Sequence, residues 1–198
     1  MKRAAGSMPD RGFTLVELMI TVSIAALLVL LAAPSFQNMI LMQRLRGVNT
    51  QLVTDQQYAR SEALASGLQS RVMLEQNEAE TCYTLFVASD PSFTQCDCTR
   101  GAGNACTTPE TKEIKTVTLP RSEKVILEWP ADQSPGYGFD PVTGGLVTSV
   151  SDLDSLPLVS VTLTSRIDDE RRLNTVVLQT GRPKVCAPHP ERMQVPAC

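Results

Sequence analysis

Residues 13–33 form a run of 21 in which only Thr14, Glu17, Thr21 and Ser23 carry polar side chains. No other feature constrains the fold of this chain so strongly. As an α-helix rising about 1.5 Å per residue, the run spans roughly 30 Å, the thickness of a bilayer's hydrocarbon core. Lys2, Arg3 and Arg11 precede it. Cations on that side hold the N-terminus in the cytoplasm and send the rest of the chain outward. A secretory signal would need a small-residue cleavage site beyond the run, and Ala32-Ala33 is spoiled for that purpose by Pro34. Glu17 is the costly residue. A carboxylate in a membrane helix costs on the order of 2–3 kcal/mol or more, depending on depth, unless a cation neutralises it.

Pro34 ends the run and predicts a kink or a locally melted turn, because its ring pushes against the carbonyl of Leu30. Helical spacing resumes at Leu41, Leu45, Val48 and Leu52, and continues through Tyr58, Ala59, Ala63 and Leu64 to Gly67. One long helix over residues 13–67 is expected, with Gly47 its weak point. Its first half, 13–33, is transmembrane and its second half packs on a sheet. In that second half Ala59 and Ala63 allow close approach, and Arg60 and Glu62 are expected to face solvent. Beyond Gly67, β-branched and aromatic runs at 71–74, 82–87, 114–119, 125–129, 160–164 and 175–179 alternate with Pro, Gly, Asp and Ser, which reads as antiparallel strands and turns. Residues 88–111 and 149–157 read as loops. Gly136-Tyr137-Gly138 is no dinucleotide fingerprint, since no helix follows, and is expected to be a β-turn with close backbone approach. The fold class is α+β, a long N-terminal helix packed on a C-terminal antiparallel β-sheet domain at 68–198.

Six cysteines, Cys82, Cys96, Cys98, Cys106, Cys186 and Cys198, all lie in the part sent outward. In an oxidising compartment an even count reads as disulfides, and six allow 15 pairings. Cys96 and Cys98 are too close in sequence to favour each other, and Cys186 with Cys198 could close the C-terminal tail. The paired-cysteine spacing is wrong for zinc and the sole histidine, His189, is far off in sequence. Neither a metal nor a cofactor is expected. Catalysis finds no support: His189 sits in a Pro-flanked tail, and Asp168-Asp169-Glu170 before Arg171-Arg172 reads as a solvated hairpin tip. The net charge of −3 becomes −5 without residues 1–12. Bulk electrostatics therefore exclude a general nucleic-acid binder and leave only a local patch, for which Arg182, Lys184 and Arg192 are the candidates.

Gly12-Phe13-Thr14-Leu15-Val16-Glu17, with its basic leader and apolar run, resembles the N-terminus of type IV prepilins and pseudopilins. Ala59-Arg60-Ser61-Glu62-Ala63, Gly138-Phe139-Asp140-Pro141 with Gly144, and residues 178–184 with Gly181-Arg182 are similar to the GspH/FimT branch of minor pilins. The resemblance implies that leader residues 1–12 are removed by a prepilin peptidase cutting after Gly12, which also N-methylates Phe13. It implies that Glu17 pairs with the N-terminal amine of a neighbouring subunit during assembly. The expected partners are other minor and major pilins or pseudopilins. The expected place is the bacterial inner membrane, single-pass, with a periplasmic domain and a position at the tip of a pilus or pseudopilus. Three functions stay open: a minor pilin in pilus assembly or initiation, a GspH-like minor pseudopilin of a type II secretion system, and a FimT-like minor pilin that binds DNA in natural transformation. For the last, the resemblance points to a Gly-Arg-x-Arg tail motif. Here Lys184 replaces the final arginine and loses its bidentate fork.

Overall fold

The computed structural model describes residues 12–90, 96–130, 135–147 and 160–198. The leader cations and the expected loop at 149–157 lie outside the described residues. Two compact units are formed, Met1–Ile40 and Leu41–Cys198.

Helix α1, Leu15–Ser66, contributes to both units. Thr14 caps its start, its hydroxyl accepting the Glu17 N–H at 3.2 Å. Thr14 and Glu17 thus occupy the two ends of a capping-box spacing, and Glu17 is the acid of the first turn, where the helix dipole favours it. The helix runs through position 34 as one element. Its end is set by Gly67 at φ 70°, whose N–H returns to the Ala63 carbonyl at 3.1 Å in the left-handed cap that glycine adopts at least cost. In the first unit the apolar side chains of α1 are exposed, Leu18, Ile24, Leu28 and Leu31 among them. The stretch is long and apolar enough to cross a membrane.

The second unit is built on two antiparallel sheets. Strands β1 (Gln69–Gln76), β2 (Glu80–Ala88), β3 (Thr111–Pro120), β5 (Gly136–Phe139) and β6 (Leu146–Val147) make the first, in the order β3-β2-β1-β5-β6. Strands β4 (Ile126–Glu128), β7 (Ser160–Arg166), β8 (Arg172–Leu178) and β9 (Pro183–Cys186) make the second, in the order β4-β7-β8-β9. A short helix α2, Pro190–Met193, closes the chain.

Leu52, Ala59 and Ala63 of α1 join Val72, Leu74, Tyr83, Leu85, Phe139, Leu163 and Val177 in one core that draws on both sheets. Ala59 and Ala63 let the helix come close: the Ser70 hydroxyl of β1 donates to the Ala59 carbonyl at 2.6 Å. Polar side chains buried on the same face fix the register. Asn49 donates to the Thr175 hydroxyl at 2.7 Å, and Gln56 to the Tyr137 hydroxyl at 2.8 Å. Asp55 accepts from the Tyr83 hydroxyl at 2.8 Å and from Lys115 Nζ at 2.7 Å. Burial pushes the Tyr83 phenol up, and the bond to Asp55 adds to the effect. Each neutral bond contributes only about 1 kcal/mol net, so their role is to select one rotation and height for the helix, whereas apolar burial supplies most of the energy.

The residues of β2 from Thr81 to Ala88 are all buried, which a strand with one solvated face would not be. Tyr83 and Leu85 belong to the core that includes α1, whereas Phe86 and Ala88 pack with Cys96 on the other side. The segment from Cys96 to Cys106 forms this second cover. It is held by disulfides Cys82–Cys98 and Cys96–Cys106, so the adjacent cysteines do reach to different partners. The loop takes further hold through Glu113, whose carboxylate accepts the Gly103 and Ala105 N–H groups at 2.8 and 3.0 Å. At the other end Cys186–Cys198 closes the tail, and Ala187 pairs with Ala197 beside it.

Several sequence expectations are corrected. Gly136–Phe139 is a strand paired with β1, not a turn. The close approach is real, since a Cβ on Gly138 would lie 2.8 Å from the Ser70 carbonyl. Tyr58 and Leu64, counted with the packing stripe, are exposed. The strand expected at 175–179 runs Arg172–Leu178, because the hairpin tip at Asp168 is tighter than its charge run suggests: Asp168 accepts from the Arg171 backbone and guanidinium. Arg60, expected to face solvent, is half-buried and bonded within the domain.

Candidate functional site

Two places carry functional residues, one in each unit, and each is described by itself. In the first, Gly12 and Phe13 stand immediately before α1, and Phe13 is exposed. Glu17 lies one turn into the helix and is also exposed. Among the described residues none pairs with its carboxylate.

In the second unit, three separate segments meet at the end of α1. Arg60 Nε donates to the Gly144 carbonyl at 2.9 Å. Gly144 sits in the β5–β6 turn, in a left-handed conformation with φ 66°. Asp140 builds that turn: its carboxylate accepts the Val142 and Thr143 N–H groups at 3.1 and 2.7 Å and the Thr143 hydroxyl at 2.8 Å. The β8–β9 turn reaches the same point from the second sheet. Gly181, φ 75°, donates to the Leu178 carbonyl at 2.8 Å, and a Cβ there would fall 2.0 Å from the Gly144 oxygen. The Gln179 carbonyl accepts the Leu146 N–H at 2.9 Å, joining the two turns directly. Arg60 therefore clasps together one hairpin from each sheet.

Beside the clasp open two clefts of about 380 and 410 Å³, and both Arg60 and Arg182 line each of them. Arg182 is exposed and lies in the β8–β9 turn; Lys184, also exposed, follows on β9. Arg192 is not available in the same way. It sits on α2 and is ion-paired with Glu170. Sequence reasoning placed the positive tail as one group, whereas the fold joins Arg182 to Arg60 and ties Arg192 to the hairpin tip. Arg60, named in the sequence only as a solvent-facing member of the 59–63 motif, has its bonding partner in a distant segment. Only its proximity to two left-handed glycines from distant segments reveals what it holds.

The turns and loops of this unit are acid-sensitive. Hydrogen bonds from Thr143 and Val142 hold Asp140 below the usual carboxylate range, and Thr99 and Arg171 do the same for Asp97 and Asp168. For Glu113 burial works upward, but Thr116 and the N–H groups of Gly103, Ala105 and Cys106 outweigh it. A carboxyl with a depressed folded-state pKa binds fewer protons folded than unfolded. Its stabilisation is complete above the unfolded value near 4 and is lost as pH falls through the folded value. Glu75 has the opposite sign, raised by burial and then by Asp97, and offsets a part of the loss. The urea midpoint should thus stay level from about pH 7 to 5 and drop below about pH 4, and Asp140→Asn should flatten part of that drop. A midpoint that rises on acidification would contradict this account.

The chain carries an apolar N-terminal helix long enough to cross a membrane and a β domain stapled by three disulfides. Its N-terminus is of the prepilin type: residues 7–33 match the family model described as the prokaryotic N-terminal methylation motif. No curated protein and no solved structure matches the chain. The motif supports a type IV pilin-like or pseudopilin role, points to a structural subunit and not an enzyme, and implies processing by a prepilin peptidase and assembly with other pilins. With the apolar helix it fits anchoring in the inner membrane.

Proposed function

We propose that the chain is a minor pilin of a type IV pilus that contributes to filament assembly or initiation. The observation that carries the reading is the methylation motif over residues 7–33, with Gly12–Phe13 as its junction and, in the first turn of the helix, a Glu17 carboxylate with no partner among the described residues. Assignment to the GspH/FimT branch is supported by the clasp: the three segments that resemble that branch are those that meet at Arg60, Gly144 and Gly181. A minor pseudopilin of a type II secretion system would have the same processing and fold, and neighbouring genes for minor pilins or for secretion components separate the two. In either case Phe13 becomes the N-methylated first residue, α1 crosses the inner membrane once, and the β domain lies in the periplasm. Binding of DNA rests on the exposed Arg182 and Lys184 alone, since Arg192 is paired with Glu170.

Glycine at position 12 suits a peptidase that must approach the backbone closely. Mass spectrometry of the chain from membranes should show an N-terminus at Phe13 with one added methyl group. A mature start near Ala33 would reject the whole reading.

A further inference from the structure

Arg60 and Arg182 face the same two clefts, and the other described residues lining them are Gln57, Thr143, Gly145, Gln179, Thr180, Gly181 and Pro183, with no acid among them. Three other arginines of this unit are matched by carboxylates: Arg166 by Glu128, Arg171 by Asp168 and Arg192 by Glu170. Arg60 spends its Nε on Gly144, which fixes the guanidinium plane and leaves its two terminal nitrogens for a ligand. Among the described residues the Arg182 guanidinium has no partner, its carbonyl alone accepting the Leu178 N–H. Two arginines lining the same acid-free clefts in an acidic protein match a carboxylate, which guanidinium forks bind bidentately.

We propose that Arg60 and Arg182 receive a carboxylate side chain from an acidic peptide segment of a partner protein. The neutral lining fits a peptide, because Gln57, Gln179 and Thr180 carry the amides and hydroxyl that pair with a peptide backbone. A nucleic acid instead needs cations spaced along a path of successive phosphates. Here Arg60 and Arg182 line the same clefts, Lys184 lines neither, and Arg192 is already paired. Arg60 serves two purposes: its Nε holds the β5–β6 turn at Gly144 beside Gly181, and that bond keeps its outer face preorganised for the ligand. The proposal goes beyond the subunit reading and is measured independently of processing or assembly.

The test uses the full chain in detergent micelles, titrated with an acetylated, amidated Gly-Glu-Glu-Gly peptide and followed by NMR at the arginine Nε–H signals. Gly-Gln-Gln-Gly, inorganic phosphate and a single-stranded oligodeoxynucleotide are titrated in parallel. The Glu peptide should shift the Arg60 and Arg182 signals, and the Gln peptide should not. Arg182→Gln should weaken binding about tenfold, whereas Lys184→Gln, two residues further on and outside the clefts, should leave it unchanged. Equal response to the Glu and Gln peptides would overturn the proposal. Tighter binding of phosphate, or of the oligonucleotide with Lys184→Gln losing as much as Arg182→Gln, would also overturn it, and the latter would reassign the surface to nucleic acid.

Discussion

Gly181→Ala should destabilise the β domain by about 3 kcal/mol, more than an ordinary glycine-to-alanine change in a loop. Two costs combine. The residue sits at φ 75°, where a Cβ meets its own backbone, and that costs about 1–2 kcal/mol by itself. The added methyl group would also lie 2.0 Å from the Gly144 carbonyl oxygen, and 3.0 Å from Arg60 Nε. Neither neighbour can yield freely, since Gly144 is tied into the Asp140 turn and Arg60 is bonded to it. The β5–β6 and β8–β9 turns would have to separate. Gly103→Ala is the matched control: its φ is 82°, but no atom lies within 4 Å of the added Cβ. It should therefore cost the backbone term alone. Urea unfolding of the two variants in detergent can be read from Trp129, the sole tryptophan, which packs against the main core. If both variants shift the midpoint equally, the clasp contributes nothing.

The comparison explains what could be read from residues alone. The C-terminal end of α1 was legible because a glycine stop is local: Gly67 needs no distant partner to act, whereas the Thr14 cap went unread and the helix starts at Leu15, two residues after the expected Phe13. The apolar run was legible for the same reason, since a bilayer reads length and polarity. Strands β1, β2 and β3 were marked by β-branched and aromatic residues. Strand β5 was hidden because Gly136 and Gly138 imitate a turn, yet in the sheet a glycine is what admits the Ser70 carbonyl. Long-range contacts escaped almost entirely. Cys82 could as well have joined Cys96 as Cys98 on spacing alone. That the 96–106 segment folds over Phe86 and Ala88 of β2 is visible only in the fold, where Cys98 is the partner of Cys82. Arg60 illustrates the limit most clearly, because its partners lie 84 residues away at Gly144 and still further on at Gly181.

Glu17→Ala should abolish or strongly reduce incorporation into filaments while leaving the β domain folded. The side chain makes no described contact within the chain, so its removal takes away no folding interaction. The cap at Thr14 uses the Glu17 backbone N–H, which alanine retains. An unpaired carboxylate in the apolar helix is costly, and removing it should if anything favour the membrane-inserted monomer. Under the proposed pilin role its worth appears in assembly, where a cation from a neighbouring subunit would neutralise it. Breaking such a desolvated pair from one side typically costs about 3–5 kcal/mol, which corresponds to several hundred-fold or more in the addition equilibrium. The cation left behind, the amine of Phe13 under the proposed processing, would be stranded in an apolar environment. Glu17→Gln should fail nearly as badly, since it keeps the shape and loses the charge; Glu17→Asp, which keeps the charge on a shorter stem, should retain a part. Membrane fractions and sheared filaments probed for each variant separate the outcomes. Faster degradation with normal incorporation of the surviving protein would place Glu17 in folding and refute its role as an assembly charge.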